Sequence, residues 1–145
     1  MKSKNSSVVL VFNDAGELAL QLRGAKDSSY PSHWDFSAAG GIEANEDPVA
    51  AATRELKEEI GIDGNVEFVK DILYEDELGQ DLLHIYTLKN NGPFSPDRVE
   101  VDDIQFFTFE QIAKMIQNKE KFHPEFLFLW KSGFIQSLKA FLLLS

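Results

Sequence analysis

The sequence predicts one α/β domain, and three observations carry that expectation. Short runs rich in β-branched and alternating apolar residues recur between Gly, Asn, Asp and Pro punctuation, residues 47–60 carry both a helix start and a helix stop, and the aromatic-rich end repeats its apolar residues at helical spacing. A length of 145 residues suits a single domain over 1–145, and an apolar share of 43% with twelve Phe supplies a core.

The elements follow in chain order. Residues 7–12 read as a strand that stops at Asn13-Asp14-Ala15-Gly16, and 17–23 alternates polar and apolar, so the two predict a β-hairpin. Residues 24–32 hold Gly, Ser, Asp and Pro and read as a loop leading to a short strand near 33–37, after which Ala38-Ala39-Gly40-Gly41 allows close backbone approach or a turn with unusual dihedrals. Asp47 is the expected N-cap of a helix with Pro48 at its first position and Gly61 as its stop. Strands are expected at 66–74 and 82–88, paired across the acidic linker 75–80, and another at 104–108 after the loop 90–97. Thr108 introduces a short helix over 109–118, and Pro124 opens one final helix containing Phe126, Leu129, Trp130, Phe134, Leu138, Phe141 and Leu142.

Charge and composition narrow the function. A formal charge of −10 disfavours a nucleic-acid polymer and leaves a small anionic substrate whose approach cations mediate. The absence of cysteine removes disulfides, thiolate metal sites and cysteine nucleophiles, and fits a reducing compartment. No signal-peptide pattern opens the chain, and the apolar stretch 141–144 is far below the roughly 20 residues of a membrane span, so a cytoplasmic protein without membrane attachment is expected.

One spacing carries the chemistry. Gly40 is followed by five residues, Glu46, seven residues, Arg54-Glu55-Leu56, one residue, Glu58-Glu59, one residue and Gly61-Ile62. At 100° per residue Glu55, Glu58 and Glu59 share an arc of roughly 100°, with Val49, Ala52, Leu56 and Ile60 mainly to one side as the expected core anchor. Carboxylates that close repel unless a hard divalent cation such as magnesium or manganese joins them, and such a cation brings in phosphates. Arg54 stands four residues before Glu58, the separation for an ion pair that fixes a carboxylate rotamer.

Residues 40–62 resemble the signature of the Nudix hydrolase family at every defined position. The resemblance implies an α/β/α sandwich with a mixed β-sheet. It also implies hydrolysis of a diphosphate linkage in a nucleoside diphosphate derivative or similar small phosphorylated molecule, by attack of a metal-activated water on phosphorus. On it, Gly40, Glu55, Glu58 and Glu59 are Mg2+ or Mn2+ ligands, Glu55 and Glu58 serve catalysis, and Arg54 positions a glutamate. Trp34-Asp35-Phe36-Ser37-Ala38-Ala39-Gly40 is similar to the subgroup allied to isopentenyl diphosphate isomerase, whose chemistry uses a cysteine that this chain lacks. A binding-only regulator is the reading from another class, and the intact glutamates oppose it.

Other positions carry two readings. Asn45 stands where the family usually has Gly, and Asn tolerates the left-handed conformation such a turn needs. Glu46 is either a structural partner of backbone amides and Arg54 or part of the metal shell. Glu100 is the first candidate for a further catalytic carboxylate, with Glu75, Asp76 and Glu77 behind it. Arg23 is either an ordinary strand-end charge or a phosphate contact, and Trp34 reads as packing before base stacking. His33, His84 and His123 form no metal spacing. The Phe-rich end, residues 122–141, reads first as core and closing helix and second as a dimer interface, and the resemblance mildly favours a homodimer.

Overall fold

The computed structural model describes residues 2–143, with side-chain surroundings through Lys139. Its central strand, β1 (Lys2–Phe12), runs parallel to β6 (Gly79–Lys89) from Lys2↔Gly79 to Phe12↔Lys89, and β6 pairs antiparallel with β5 (Glu67–Asp76). The sheet is therefore mixed, as expected. Along its other edge β1 meets β4 (Ala38–Gly41) from Ser6↔Gly41 to Val9↔Ala38, and touches β2 (Leu18–Arg23) only at Phe12↔Leu18. The expected hairpin thus closes at its turn and then opens. β2 instead pairs with β3 (Trp34–Asp35) and with β7 (Val101–Phe107).

Ser37 fills the fork where β1 and β2 part: its Oγ accepts from Val11 N at 2.9 Å and donates to Ala19 O. A buried hydroxyl in that position replaces ladder bonds that neither strand can make across the gap.

Helices cover both faces of the sheet. α1 (Pro48–Ile60) packs Ala52, Leu56 and Ile60 against Val9, Val11, Ala19 and Ala38. On the opposite face Val8, Leu10, Phe12, Leu83 and Ile85 meet Ile112 of α2 (Phe109–Gln117), Phe126 and Leu129 of α3 (Pro124–Lys131), and Ile135 and Leu138 of α4 (Phe134–Leu143). Residues 8–12 of β1 are at most 1% exposed, which explains their near-continuous hydrophobic run: a strand covered on both faces has no polar side.

Several expectations change. β1 starts at Lys2 rather than near Ser7, because its polar first half is held by backbone pairing with β6 and leaves no hydrophobic pattern. Gly40-Gly41 is extended strand, not a turn. The linker 75–80 is mostly ladder, with Asp76 paired to Gly79 around Glu77-Leu78 and the Asp76 carboxylate accepting from Leu78 N at 2.8 Å. The single final helix is two, broken at Ser132-Gly133 where Gly133 has φ 84°. The side chains of Phe141 and Leu142, and Leu144 altogether, lie outside the described residues. Thr108 caps α2 as expected, in a reciprocal capping box with Gln111. Among the described residues no helix is long and apolar enough to cross a membrane.

Candidate active site

α1 carries the carboxylates, and its local sequence explains why it stands where it does. Asp47 occupies the N-cap position without a side-chain cap bond, Pro48 presets the first turn, and Gly61 closes the helix at φ 71° with its N–H on Lys57 O. Ser7 Oγ donates to Pro48 O at 2.6 Å, tying the helix start to β1. At the far end Ser95 N donates to Ile60 O and Asp97 N to Glu59 O, both at 2.9 Å, so the loop before β7 is docked on the helix C-terminus.

The buried arc of α1 differs from the expected one. Val49 is 47% exposed, and the buried residues are Ala51, Ala52, Glu55, Leu56, Glu59 and Ile60. At 100° per residue that arc centres near Ala52 and Glu59, so two of the three carboxylates lie within the buried face and not at its edge. Glu58 alone of the three is exposed.

Two buried carboxyls side by side need a proton or a cation between them. Burial, and then the adjoining Glu55, push the Glu59 carboxyl well above the usual carboxylate range. Glu59 is nonetheless held in place: its Oε1 accepts from Gln21 Nε2 at 2.6 Å and from Ala39 N at 3.2 Å. Gly40 makes room for its partner, since a Cβ there would lie 2.3 Å from the Glu55 carboxyl. The expected need for glycine holds at Gly40, for close approach of a side chain and not for a turn.

Arg54 is the organising cation. Its Nε and Nη2 take both oxygens of Glu46 at 2.7 and 2.9 Å, Nη1 reaches Glu55 at 2.7 Å and Glu58 at 3.2 Å, and Nη2 also donates to Gly41 O at 3.1 Å. The fork geometry of a guanidinium suits this many acceptors. Glu46 makes the contacts of its structural reading: besides Arg54 it accepts from Glu43 N at 2.9 Å, and the Arg54 hydrogen bonds hold its carboxyl down at about 2. Asn45 does adopt the left-handed conformation, at φ 63°.

The geometry also tests the fit of a divalent cation. Glu55 and Glu59 form an oxygen pair, packed beside a glycine, that repels itself unless neutralised, and Glu58 stands exposed beside it; this hard-oxygen donor set fits Mg2+ or Mn2+. Arg54 Nη1 lies between Glu55 and Glu58, and among the described residues no three His, Asp or Glu side chains already converge as a cage.

The structure brings Glu100 toward this group. Its carbonyl accepts from Gly24 N at 3.0 Å, and burial, then Asp97, Glu55 and Glu58, raise its carboxyl above the usual range. Glu75, Asp76 and Glu77 stand instead at the tip of the β5–β6 hairpin, with Asp76 in the wall of a cavity on the α3 side of the sheet. Arg23 is committed to Asp35 at 2.9 Å, Asp27 at 3.1 Å and the Ser29 carbonyl. Burial opposes its charge, but those acidic partners outweigh burial and raise its pKa. Four of its five N–H groups are engaged, which leaves one for a phosphate oxygen. Trp34 packs edge-on against Phe107 at 5.2 Å, in line with a packing role.

Gln21 and Ser37 emerge only from the structure. Each is a polar residue buried next to apolar neighbours in or beside a strand, which is the signal the sequence offered.

A family model described as the NUDIX domain matches residues 2–129. The chain belongs to the Nudix family. It is 33% identical over 99 residues to an uncharacterized Nudix hydrolase of Pseudomonas aeruginosa, covering 68% of this chain and 59% of that protein. An uncharacterized Nudix hydrolase of Listeria innocua is 31% identical over 120 residues, 81% of this chain and 70% of the relative. The match thus spans about three-fifths of the Pseudomonas protein. Among solved structures, DR0079 of Deinococcus radiodurans superposes with TM-score 0.77 at 17% identity over 89% of this chain and 82% of that one. A C. elegans Ap4A hydrolase gives TM-score 0.69 at 20% identity over 96% and 97%. At such identities the two structures establish the Nudix fold, an α/β sandwich about a mixed sheet.

Proposed function

We propose that this Nudix chain is a divalent-cation-dependent hydrolase of a phosphoanhydride linkage in a small nucleotide-like molecule. The observation that carries the reading is the wiring of α1: Glu55 and Glu59 buried together beside Gly40, with Glu55 and exposed Glu58 tied to one guanidinium. A solvated acidic helix face needs none of these features.

In this reading Glu55, Glu58 and Glu59, with the Gly40 carbonyl, hold Mg2+ or Mn2+. The cation supplies Lewis acidity toward a phosphate oxygen and lowers the pKa of water. Arg54, anchored on Glu46, positions Glu55 and Glu58. Glu100, whose carboxyl is raised above the usual range by burial and by the neighbouring carboxylates, accepts a proton from the attacking water as the water oxygen bonds to phosphorus and the bond from phosphorus to the bridging oxygen breaks. The last free N–H of Arg23 donates to a non-bridging phosphate oxygen. The negative surface makes cation loading a condition for anion binding.

The test is product analysis across nucleoside triphosphates, nucleotide sugars, dinucleoside polyphosphates and prenyl diphosphates, for wild type and Glu58→Gln, with Mg2+ or Mn2+ and with EDTA. The expected result is cleavage that EDTA abolishes and the variant reduces by about a hundredfold or more. Metal-independent binding of one compound with no turnover of any would replace the reading with that of a binding module.

A further inference from the structure

Glu59 stands at a gap in the sheet. β2 parts from β1 beyond Leu18, β4 takes its place along β1, and no backbone ladder joins β4 to β2 among the described residues. Backbone groups along such a gap lack strand partners, so side chains must supply them. Ser37 does so at the fork, and the Glu59 carboxylate does so further along: its Oε1 accepts from Ala39 N on β4 at 3.2 Å and from Gln21 Nε2 on β2 at 2.6 Å. A candidate metal ligand is thereby the rung between two strands.

Gln21 is fixed at more than its contact with Glu59. It is 6% exposed and sits on β2 between Asp35 of β3 and Ile104 of β7. Its Nε2 carries two hydrogens; one goes to Glu59 Oε1 and the other to Ser37 O at 3.2 Å. Reversing the amide would turn its oxygen toward two acceptors, so only one orientation is satisfied. Ser37 is itself braced, with its Oγ between Val11 N and Ala19 O. The amide that meets Glu59 is therefore anchored to the fork of β1 and β2.

The consequence lies in which oxygen Glu59 presents. A carboxylate oxygen has two lone pairs, and N–H donors take both on Oε1. Oε2 is then the oxygen left for a cation. Without Gln21 the carboxyl would keep only the longer bond from Ala39 N, which does not fix rotation about Cγ–Cδ. Groups that hold the remaining atoms of a metal ligand set its orientation and with it the affinity of the site.

We propose that Gln21 is a positioning residue of the metal site: by occupying Oε1 of Glu59 it presents Oε2 to the divalent cation and makes Glu59 a ligand through a single oxygen. The proposal rests on the cation-dependent reading above, and binding of Mn2+ alone, without substrate, separates the two.

Mn2+ is titrated by electron paramagnetic resonance into wild type, Gln21→Met, Glu59→Gln and the double variant, with urea unfolding in EDTA to establish that each is folded. Met keeps the unbranched shape of Gln and removes both donors. Gln21→Met is expected to raise the Mn2+ Kd by about ten- to a hundredfold. In the Glu59→Gln background the same substitution is expected to change Kd by no more than about twofold, because the carboxylate through which Gln21 acts is gone. A merely structural role would weaken both backgrounds by the same factor. Wild type that binds Mn2+ with the same Kd as Gln21→Met, or equal losses in the two backgrounds, overturns the proposal and leaves the cation reading standing. Wild type that binds no Mn2+ overturns both. Where Gln21→Met fails to fold, the side-chain amide of Gln21 is followed in the wild-type protein by proton–nitrogen NMR. Its two protons are expected to shift as Mg2+ is added, and signals unmoved at saturating Mg2+ overturn the proposal.

Discussion

At the residue scale the site depends on close approaches that a side chain would block. A Cβ at Gly40 would meet the Glu55 carboxyl at 2.3 Å, whereas one at Gly41 meets nothing within 4 Å. Gly40→Ala is therefore expected to displace Glu55 from Arg54 and lower kcat by about a hundredfold, the scale of a misplacement of about 1 Å. Gly41→Ala should leave the unfolding free energy in urea within about 0.5 kcal/mol of wild type. Kinetics and urea unfolding of the two variants check both outcomes, and an active Gly40→Ala would mean that Glu55 need not stand where it does. Arg54 illustrates a second point: i,i+4 spacing identified its contact with Glu58, but its stronger partner Glu46 lies eight residues earlier and is reached only because the Asn45 turn folds back.

At the element scale, helix ends were readable where a cap, Pro or Gly coincided with the end of the apolar pattern and unreadable where that pattern ran on past them. Thr108 with Gln111, and Pro48 with Gly61, mark their ends in the sequence. The break between α3 and α4 escaped because apolar spacing runs straight across Ser132-Gly133, and a lone glycine in an apolar helical pattern is ambiguous. Its φ of 84° and the open space around it make a separable prediction. Gly133→Ala costs only backbone strain, about 1 kcal/mol in urea unfolding, with activity unchanged. A neutral substitution there would show that the chain can pass from α3 to α4 without a left-handed residue.

At the scale of the whole molecule, acidic groups buried by folding couple stability to pH. Glu125 is held at about 9 by burial, then by Asp81 and Asp35, with Lys4 opposing, so the folded protein keeps a proton that the unfolded chain releases in the ordinary carboxylate range. The folded state binds more protons across that window. Stability from this group is thus full below the ordinary glutamate pKa and is lost as pH rises toward about 9, with a slope of at most about 1.4 kcal/mol per pH unit. Unfolding of wild type and Glu125→Gln at pH 5, 7 and 9 measures it. The variant should lose less stability over that range, and identical profiles would show that Glu125 titrates normally.

The sequence by itself determined the α/β class, the Nudix signature and the α1 boundaries, and singled out Gly40, Arg54, Glu55, Glu58 and Glu59 as the candidate set. Those features are local: a helix period, a cap, a stop, and residue types at fixed intervals along one element. Tertiary structure alone decided that Glu55 and Glu59 are buried while Glu58 is not, because the covered side of α1 is set by where β1 and β4 lie and not by its own apolar stripe. It also decided that Glu100, not the run Glu75 to Glu77, comes near them, since the loop before β7 docks on the end of α1. Gln21 on Glu59 and Asp81 beside Glu125 are contacts between distant strands and helices, and the register that makes them is a property of the assembled sheet.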